Sequence, residues 1–173
     1  MILGAVLAGG MSTRFGSDKA LAELDGRSLL ERAVASLKGL CDAVVIAGRD
    51  SDLAPSIPDW PRAGMGPLGG IAAALRHAQA NGFASVVTCG VDCGGLSQNL
   101  LVDLSPPSAH LENQPVIGHW KSNTAPAVAA LLQSEGRHSM LAFAQSVGSR
   151  AVASTHAPAN INTPADLAAL EHK

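Results

Sequence analysis

The sequence is poor in aromatic and charged residues. Its 173 residues include no tyrosine, and aromatic residues make up 3% of the chain. So few rings disfavour a stacking platform for single-stranded nucleic acid. Charged residues make up 15% and hydrophobic residues 47%, a balance typical of a folded chain rather than a disordered one. The length predicts one domain, residues 1–173, with a core of its own.

An excess of positive charge and a long apolar segment are also missing. Twelve Lys and Arg residues against 14 Asp and Glu residues give a formal net charge of -2, so we expect no nucleic-acid partner. The apolar residues 1–10 are too few to span a bilayer and do not resemble a signal peptide. We therefore expect a cytoplasmic protein with no membrane partner.

Cysteine is scarce. Three residues, Cys41, Cys89 and Cys93, do not form a disulfide framework. Cys89 and Cys93 are four positions apart, which is not the usual spacing of a zinc-binding pair. We interpret all three as reduced thiols in a cytosolic core.

The pattern of apolar residues predicts an α/β fold. Strands are predicted at Ile2–Leu7, Ala43–Ala47 and residues 84–89, with weaker ones at 115–119 and 150–154. Helices are predicted at residues 28–38, 70–80, 97–104, 127–132 and 138–147, and a last helix begins after Thr163. Residues 49–67 are expected to be irregular. Strands alternating with helices imply βαβ units and a mostly parallel sheet, whose strand order the pattern leaves open.

A glycine-rich loop follows the first predicted strand. It contains Gly9 and Gly10, which let the backbone approach a ligand, and the cations Arg14 and Lys19. Ligands of open α/β sheets bind beyond the carboxyl ends of the strands, so the loop is a candidate phosphate site. A surface turn with solvated charges is the alternative. The loop is not a Walker A motif, because the spacing of its glycines and lysine differs.

Two further loops hold candidate residues. Gly64, Gly66 and Gly69 match a G-x-G-x-x-G string, but no predicted strand precedes them, so dinucleotide binding is disfavoured and a glycine-lined loop over some ligand is expected. Asp92 follows the strand at 84–89. One carboxylate together with a polyphosphate is a common way to hold Mg²⁺, although Asp92 could equally be a helix cap or a loop carboxylate.

Together these loops resemble a known family. The L-A-G-G stretch at residues 7–10, with Arg14, Gly16 and the Asp18-Lys19 pair, is similar to the nucleotide loop of the nucleotidyltransferases that include molybdenum cofactor guanylyltransferases. The G-P-L-G-G stretch at 66–70, Asp92 and the N-I-N-T-P-A-D-L stretch at 160–167 match further motifs of that family. The resemblance runs almost from end to end of the chain.

The resemblance implies a three-layer, Rossmann-like domain that transfers GMP from GTP to molybdopterin and releases pyrophosphate. It implies Mg²⁺ as cofactor, held by Asp92, and it allows contact with molybdoenzymes or cofactor-biosynthesis proteins. Arg14, Lys19 and Asp92 would be catalytic. The residues expected to bind nucleotide or acceptor are Leu7, Ala8, Gly9, Gly10, Lys19, Asp59, Asp92, Asn160 and Asn162.

Two positions depart from the family pattern. Cys93-Gly94-Gly95 replaces the small residue and proline that usually follow the metal-binding Asp, and Ile46 stands where a guanylyltransferase carries an Asn that contacts the nucleotide. The alternatives are therefore a cytidylyl- or sugar-phosphate nucleotidyltransferase and a catalytically inactive nucleotide-binding regulator of the same fold.

Overall fold

A seven-stranded sheet organises the molecule. The computed structural model describes residues 1–9, 18–93, 95–136 and 138–171. Within these ranges the strands are β1 (Ile2–Leu7), β2 (Glu23–Leu24), β3 (Arg27–Ser28), β4 (Ala43–Ala47), β5 (Ser56–Ile57), β6 (Ser85–Gly90), β7 (Ala109–Leu111), β8 (Gly118–Lys121) and β9 (Arg150–Val152). The α-helices are α1 (Leu29–Lys38), α2 (Pro67–Ala80), α3 (Gln98–Asp103), α4 (Ala125–Gln133), α5 (Met140–Ser146) and α6 (Pro164–Glu171).

The sheet is mostly parallel, as the sequence predicts. Its strand order is β5-β4-β1-β6-β8-β7-β9, and only β8 runs antiparallel to its neighbours β6 and β7. β2 and β3 form a separate two-stranded hairpin. Because β1, β4 and β6 are adjacent and parallel, their carboxyl ends meet at one edge of the sheet, where ligands of this architecture bind.

Helices cover both faces of the sheet and give the three expected layers. One cluster of buried side chains joins α1 and α3 to the sheet, and a second joins α2, α4 and α5 to the opposite face. A third, small cluster consists of Leu24, Leu29 and Ile161, with Leu167 and Leu170 of α6 packed against it. This third cluster attaches the C-terminal segment to the hairpin.

Local sequence signals explain several element boundaries. Ser28 caps α1, since its Oγ accepts a hydrogen bond from the Glu31 amide at 3.0 Å. Helix α2 begins at Pro67, three residues before the predicted start, because proline suits the first helical position. The hairpin turn has positive φ at Asp25 and Gly26, the pattern that an Asp-Gly pair favours.

Four short strands lie outside the predictions. β5 falls in the stretch expected to be irregular, β7 follows two prolines, and the hairpin strands contain two residues each. Strands this short carry too few positions to show alternation. In the described part of the chain, no helix combines the length and the apolar character needed to cross a membrane.

Candidate functional site

A cleft opens at the carboxyl ends of β1 and β6. It contains about 550 Å³ of empty space, including the part open to solvent. Its lining brings together residues from four separate stretches of the sequence: Leu7 to Gly9 at the end of β1, Asp18 to Ala20, Arg49 after β4, and Gly90 to Asp92 at the end of β6. The loop around Gly64 lines a second cavity that shares residues with this one, and the two are described in turn below.

Lys19 begins a short 3-10 helix at the floor of this cleft. Asp18 caps that helix by accepting a hydrogen bond from the Ala20 amide at 3.2 Å. The Asp18 carboxylate also accepts two hydrogen bonds from Arg49, at 2.9 Å and 2.5 Å. These bonds lower the pKa of Asp18 and raise that of Arg49. The paired geometry fixes both side chains beside the half-buried Lys19.

Asp92 lies directly over the end of β6. A Cβ atom on Gly90 would approach Asp92 Oδ1 to 2.6 Å, so glycine is required there for the carboxylate to take this position. The Asp92 carbonyl accepts a hydrogen bond from the Ile161 amide at 2.7 Å. This bond brings the predicted Asn160 and Asn162 segment next to Asp92.

The segment around Asn162 is held by a reciprocal helix cap. Thr163 Oγ1 accepts from the Asp166 amide at 3.2 Å, while Asp166 Oδ2 accepts from the Asn162 and Thr163 amides at 3.0 Å each. These backbone bonds lower the pKa of Asp166, and the Lys19 ammonium contributes through its charge. Lys19 is therefore close to the C-terminal segment. Asn160 is exposed and Asn162 half-buried.

Asp59 lies in a second cavity that shares Gly9 and Arg49 with the first. Cβ atoms on Gly9 and Gly48 would each lie 2.9 Å from its carboxylate oxygens, so two glycines leave space for the carboxylate. Partial burial raises the pKa of Asp59. In the described ranges no residue donates a hydrogen bond to this carboxylate, which leaves both oxygens for a ligand.

Two predicted site residues are not described by the structure, and the family departure at Ile46 lies in the core. Gly10 and Arg14 lie outside the residues that the structure describes. Ile46 is fully buried in β4 as part of the core, so at this position the chain has a core side chain in place of a polar one.

Sequence reasoning did not select Arg49 or Gly48. Gly48 has a φ of 83° and its Cα lies against Gly9, and Arg49 joins the two cavities. Both residues come directly after β4, just as Gly9 and Asp92 lie beyond β1 and β6. Ligands of open α/β sheets bind beyond the carboxyl ends of the strands, and the same rule applied to β4 would have selected Gly48 and Arg49.

The site fits a hard divalent cation better than a soft one. Among the described residues, no three His, Cys, Asp or Glu side chains are grouped so that they could hold a metal by themselves. Asp92 supplies one carboxylate in a cleft with a lysine, which suits Mg²⁺ shared with phosphate oxygens. Cys89 and Cys93 are buried, and burial together with the Asp42 charge raises the pKa of Cys41 to about 12.

A mostly parallel sheet whose strand ends place Gly9, Lys19 and Asp92 in one cleft is the arrangement of a nucleotide-binding α/β enzyme. A family model described as the MobA-like NTP transferase domain matches residues 4–159. The chain belongs to this family of nucleotidyltransferases, as the motifs predict.

Named relatives and solved structures agree with this assignment. A molybdenum cofactor guanylyltransferase of Acidiphilium cryptum is 34% identical over 96% of this chain and 92% of that protein. The crystal structure of molybdopterin-guanine dinucleotide biosynthesis protein A from Archaeoglobus fulgidus has a TM-score of 0.75 at 23% identity, over 98% of this chain and 97% of that one. A Mycobacterium tuberculosis protein solved with manganese shares the fold, with a TM-score of 0.66 at 17% identity over 99% and 98% of the two chains.

Proposed function

We propose that this protein transfers GMP from GTP to molybdopterin, with release of pyrophosphate, as a molybdenum cofactor guanylyltransferase. The observation that carries the proposal is the pair of adjacent cavities, which share Gly9 and Arg49. One holds Lys19 and Asp92 for phosphates, and the other holds Asp59, a carboxylate whose oxygens have no donor in the described ranges. Family membership and the guanylyltransferase names of its relatives support the same reaction.

Asp59 is our candidate for reading the base. Guanine presents an N1–H and an N2 amino group on one edge, and a carboxylate can accept a hydrogen bond from each. Cytosine has no such pair of adjacent donors. A partly buried carboxylate gains from each donor that it meets, so a ligand that supplies two donors gains affinity over one that does not.

Lys19 and the backbone of the first loop are our candidates for the triphosphate. Lys19 lines the cleft, and its ammonium can neutralise charge as pyrophosphate leaves. Gly9 lets a phosphate approach the main chain. Arg14 and Gly10, on the same loop, are proposed for the same task on the basis of the family motif.

Asp92 is our candidate ligand for Mg²⁺. Bound Mg²⁺ would supply charge neutralisation at the phosphate oxygens. A carboxylate is a hard, anionic ligand of the kind that Mg²⁺ prefers, and Gly90 leaves it room above the strand end. The neighbour of known structure that was solved with manganese has the same fold.

The chemical step requires little proton transfer. An oxygen of the molybdopterin phosphate forms a bond to the α-phosphorus of GTP, and the bond from that phosphorus to the bridging oxygen breaks. The electron pair leaves with pyrophosphate. Because the nucleophile is already an anion, the residues act by positioning and charge stabilisation. Asn160 and Asn162, joined to Asp92 through Ile161, are our candidates for orienting the acceptor.

A transfer assay with the purified protein tests the reaction. GTP, ATP, CTP and UTP are each supplied with Mg²⁺ and Mo-molybdopterin, and pyrophosphate and the dinucleotide product are measured. We expect GTP to be the preferred donor. Preference for CTP would replace the proposal with the cytidylyl alternative. Nucleotide binding without product would indicate the inactive regulator.

The variant Asp59→Asn tests how the base is read. An amide that replaces the carboxylate loses one acceptor, so we expect the kcat/KM for GTP to decrease by about tenfold or more relative to CTP. Asp50→Asn is the matched control, since Asp50 lines the same cavity but is exposed. Unchanged discrimination in Asp59→Asn would remove this residue from base recognition.

A further inference from the structure

A third cavity lies beside the start of α1 and shares no lining residue with the two described above. It contains about 930 Å³ of empty space, including the part open to solvent. Arg27 lines it from β3 and Arg32 from the first turn of α1. Ser97 lines it from the segment before α3, and His156 from the segment that leads to Asn160. We call it the basic cavity, because its lining includes two arginines and one histidine and, within the described ranges, no carboxylate.

Arg32 provides the observation that points to a ligand. Its Nε atom is buried and has no hydrogen-bond partner, and it is the only buried side-chain nitrogen or oxygen in this condition among the described residues. A buried N–H without an acceptor is unfavourable, and native structures nearly always supply a partner from the protein, water or a ligand. Arg32 also lines the basic cavity, so an acceptor bound there by its guanidinium is the partner that we consider for this N–H.

The two arginines of the cavity have no acidic partner among the described residues, whereas His156 is paired with Asp103. Within the described ranges, ion pairs link only Arg49 to Asp18 and His156 to Asp103. Arg27 and Arg32 therefore carry their charge without an ionic partner. The geometry of a guanidinium matches two oxygens of a tetrahedral anion, and two such groups facing one cavity favour a phosphate-like ligand.

Two further groups can add hydrogen bonds to the same ligand. Ser97 Oγ accepts from the Leu100 amide at 3.2 Å as a helix cap, so its hydroxyl hydrogen remains available for donation. The ring of His156 is held through Nδ1, which lies 2.9 Å from Asp103 Oδ2. Asp103 is in turn bonded by Ser154 Oγ at 2.5 Å. This arrangement fixes the ring and leaves Nε2 for the cavity.

From these contacts we propose that the basic cavity is a second anion site, which binds a phosphate-type oxyanion between Arg27, Arg32, Ser97 and His156. It is separate from the nucleotide cleft in its lining, yet its walls continue into the segments that carry Asp92 and Asn160. The anion is either a free ion or an anionic group of the acceptor molecule. The chemistry of recognition is the same for both.

Inorganic phosphate is the probe for the first experiment. The Nε–H signal of Arg32 is followed by ¹H–¹⁵N NMR during a phosphate titration of the intact protein at constant ionic strength, and Arg32→Lys identifies the signal by its disappearance. We expect a saturable shift of this signal. The Nε–H signal of Arg76, which stacks on Trp60 at 4.5 Å, serves as the internal reference and should not move.

Arg27→Gln provides the matching variant, because Arg27 is exposed and its replacement leaves the core intact. We expect phosphate to bind this variant about tenfold more weakly, as the loss of one charge-assisted contact predicts. Arg62→Gln removes the same charge from an exposed position outside the cavity and should bind phosphate as the parent does. An Arg32 signal that does not respond, or that responds equally in Arg27→Gln, overturns the proposal.

Kinetics then identify the source of the anion. If the acceptor supplies it, added phosphate raises the KM for the acceptor in the parent and much less in Arg27→Gln. If a free ion is the ligand, phosphate changes kcat at saturating acceptor. The NMR result does not depend on turnover, so failure of the proposed transfer reaction and failure of the anion site are observed separately.

Discussion

A substitution at Asp92 tests whether this carboxylate binds the metal or only stabilises its loop. Asp92→Asn keeps the size of the side chain but replaces an anionic oxygen with a neutral amide, a poorer ligand for Mg²⁺. We expect turnover to decrease by about 10²-fold or more, with a smaller effect on GTP affinity, because the charge to be stabilised develops as pyrophosphate leaves. The measurement is initial rate against Mg²⁺ concentration.

The exposed carboxylate of Asp52 gives a control with the same chemical change. Asp52→Asn should reproduce the parent curve. Superimposable curves for Asp92→Asn and the parent would show that Asp92 does not bind the metal and has only a structural role in its loop. Asn stabilises turns and caps nearly as well as Asp.

Gly48 sets how closely the loops after β1 and β4 approach. Gly48→Ala would place a Cβ atom 2.8 Å from Gly9 Cα and 2.9 Å from Asp59 Oδ1, at a φ of 83°. We expect the free energy of unfolding to decrease by about 2–4 kcal/mol, the sum of backbone strain and overpacking, and GTP affinity to decrease with it. Urea unfolding and calorimetry measure the two effects.

A matching substitution at Gly82 distinguishes backbone strain from steric collision as the cause of that loss in stability. Its φ is 78° and nothing lies within 4 Å of the position where a Cβ would be, so Gly82→Ala carries the backbone strain without the collision. We expect a decrease of about 1–2 kcal/mol and unchanged GTP affinity. Equal losses in the two variants would show that contact with Gly9 and Asp59 is unimportant.

Single residues of the site were predictable from the sequence where they follow a predicted strand, since ligands bind beyond the carboxyl ends of strands. Lys19 and Asp92 follow strands β1 and β6, and the structure places both in one cleft. The pairing of Arg49 with Asp18 was not predictable, because it joins loops that are adjacent only once the order β4-β1-β6 is known. The lack of a hydrogen-bond partner at the buried Arg32 Nε was not predictable either, since burial of a single atom depends on tertiary packing.

At the level of elements, the hairpin β2–β3 and helix α6 hold the segment around Ile161 beside Asp92. This side chain is fully buried in the small third cluster, and its amide bonds the Asp92 carbonyl. Ile161→Ala should lower the free energy of unfolding by about 2–4 kcal/mol. Because the same segment carries Asn160 and Asn162, we expect a lower transfer rate at temperatures where the variant is folded.

Val128 in α4 offers a comparison in the opposite layer. It is also fully buried, so Val128→Ala should lower stability without changing the kinetics of the folded enzyme. Thermal unfolding and transfer assays are made on both variants. Equal kinetic effects would mean that the loss in Ile161→Ala reflects general instability and not the position of the segment.

The elements were predictable in proportion to their length. β1, β4 and α1 have continuous apolar or amphipathic patterns, and the structure confirms them almost residue for residue. The sequence predicts α2 from Gly70, three residues after its true start at Pro67, because Gly69 disfavours a helix. The role of the glycines at 69 and 70 is tertiary: a Cβ on Gly70 would lie 2.9 Å from Leu7 Cδ2, so small residues let α2 pack closely on β1.

For the whole molecule, two buried histidines predict how stability depends on pH. Burial lowers the pKa values of His110 and His119 in the folded state. Below their ordinary pKa of about 6.5, the unfolded chain therefore binds more protons than the folded one. The free energy of unfolding should be highest above pH 6.5 and decrease below it, by at most about 1.4 kcal/mol per pH unit for each histidine.

Urea unfolding between pH 5 and 8 measures this dependence. Asp18, Asp103 and Asp166 have lowered pKa values, so their contribution is lost only nearer pH 4 and does not interfere. His110→Asn should flatten the curve below pH 6.5. His138→Gln, at an exposed histidine, should leave it unchanged, and a flat curve in the parent would contradict the prediction.

The bond between the Ile161 amide and the Asp92 carbonyl also has a consequence for protein synthesis. Both large core clusters consist of residues that leave the ribosome before Ile161. A nascent chain can therefore begin to bury its sheet on both faces before the segment of Asn160 and Asn162 reaches Asp92. Under our proposal, competence for transfer would then follow the formation of the core during synthesis.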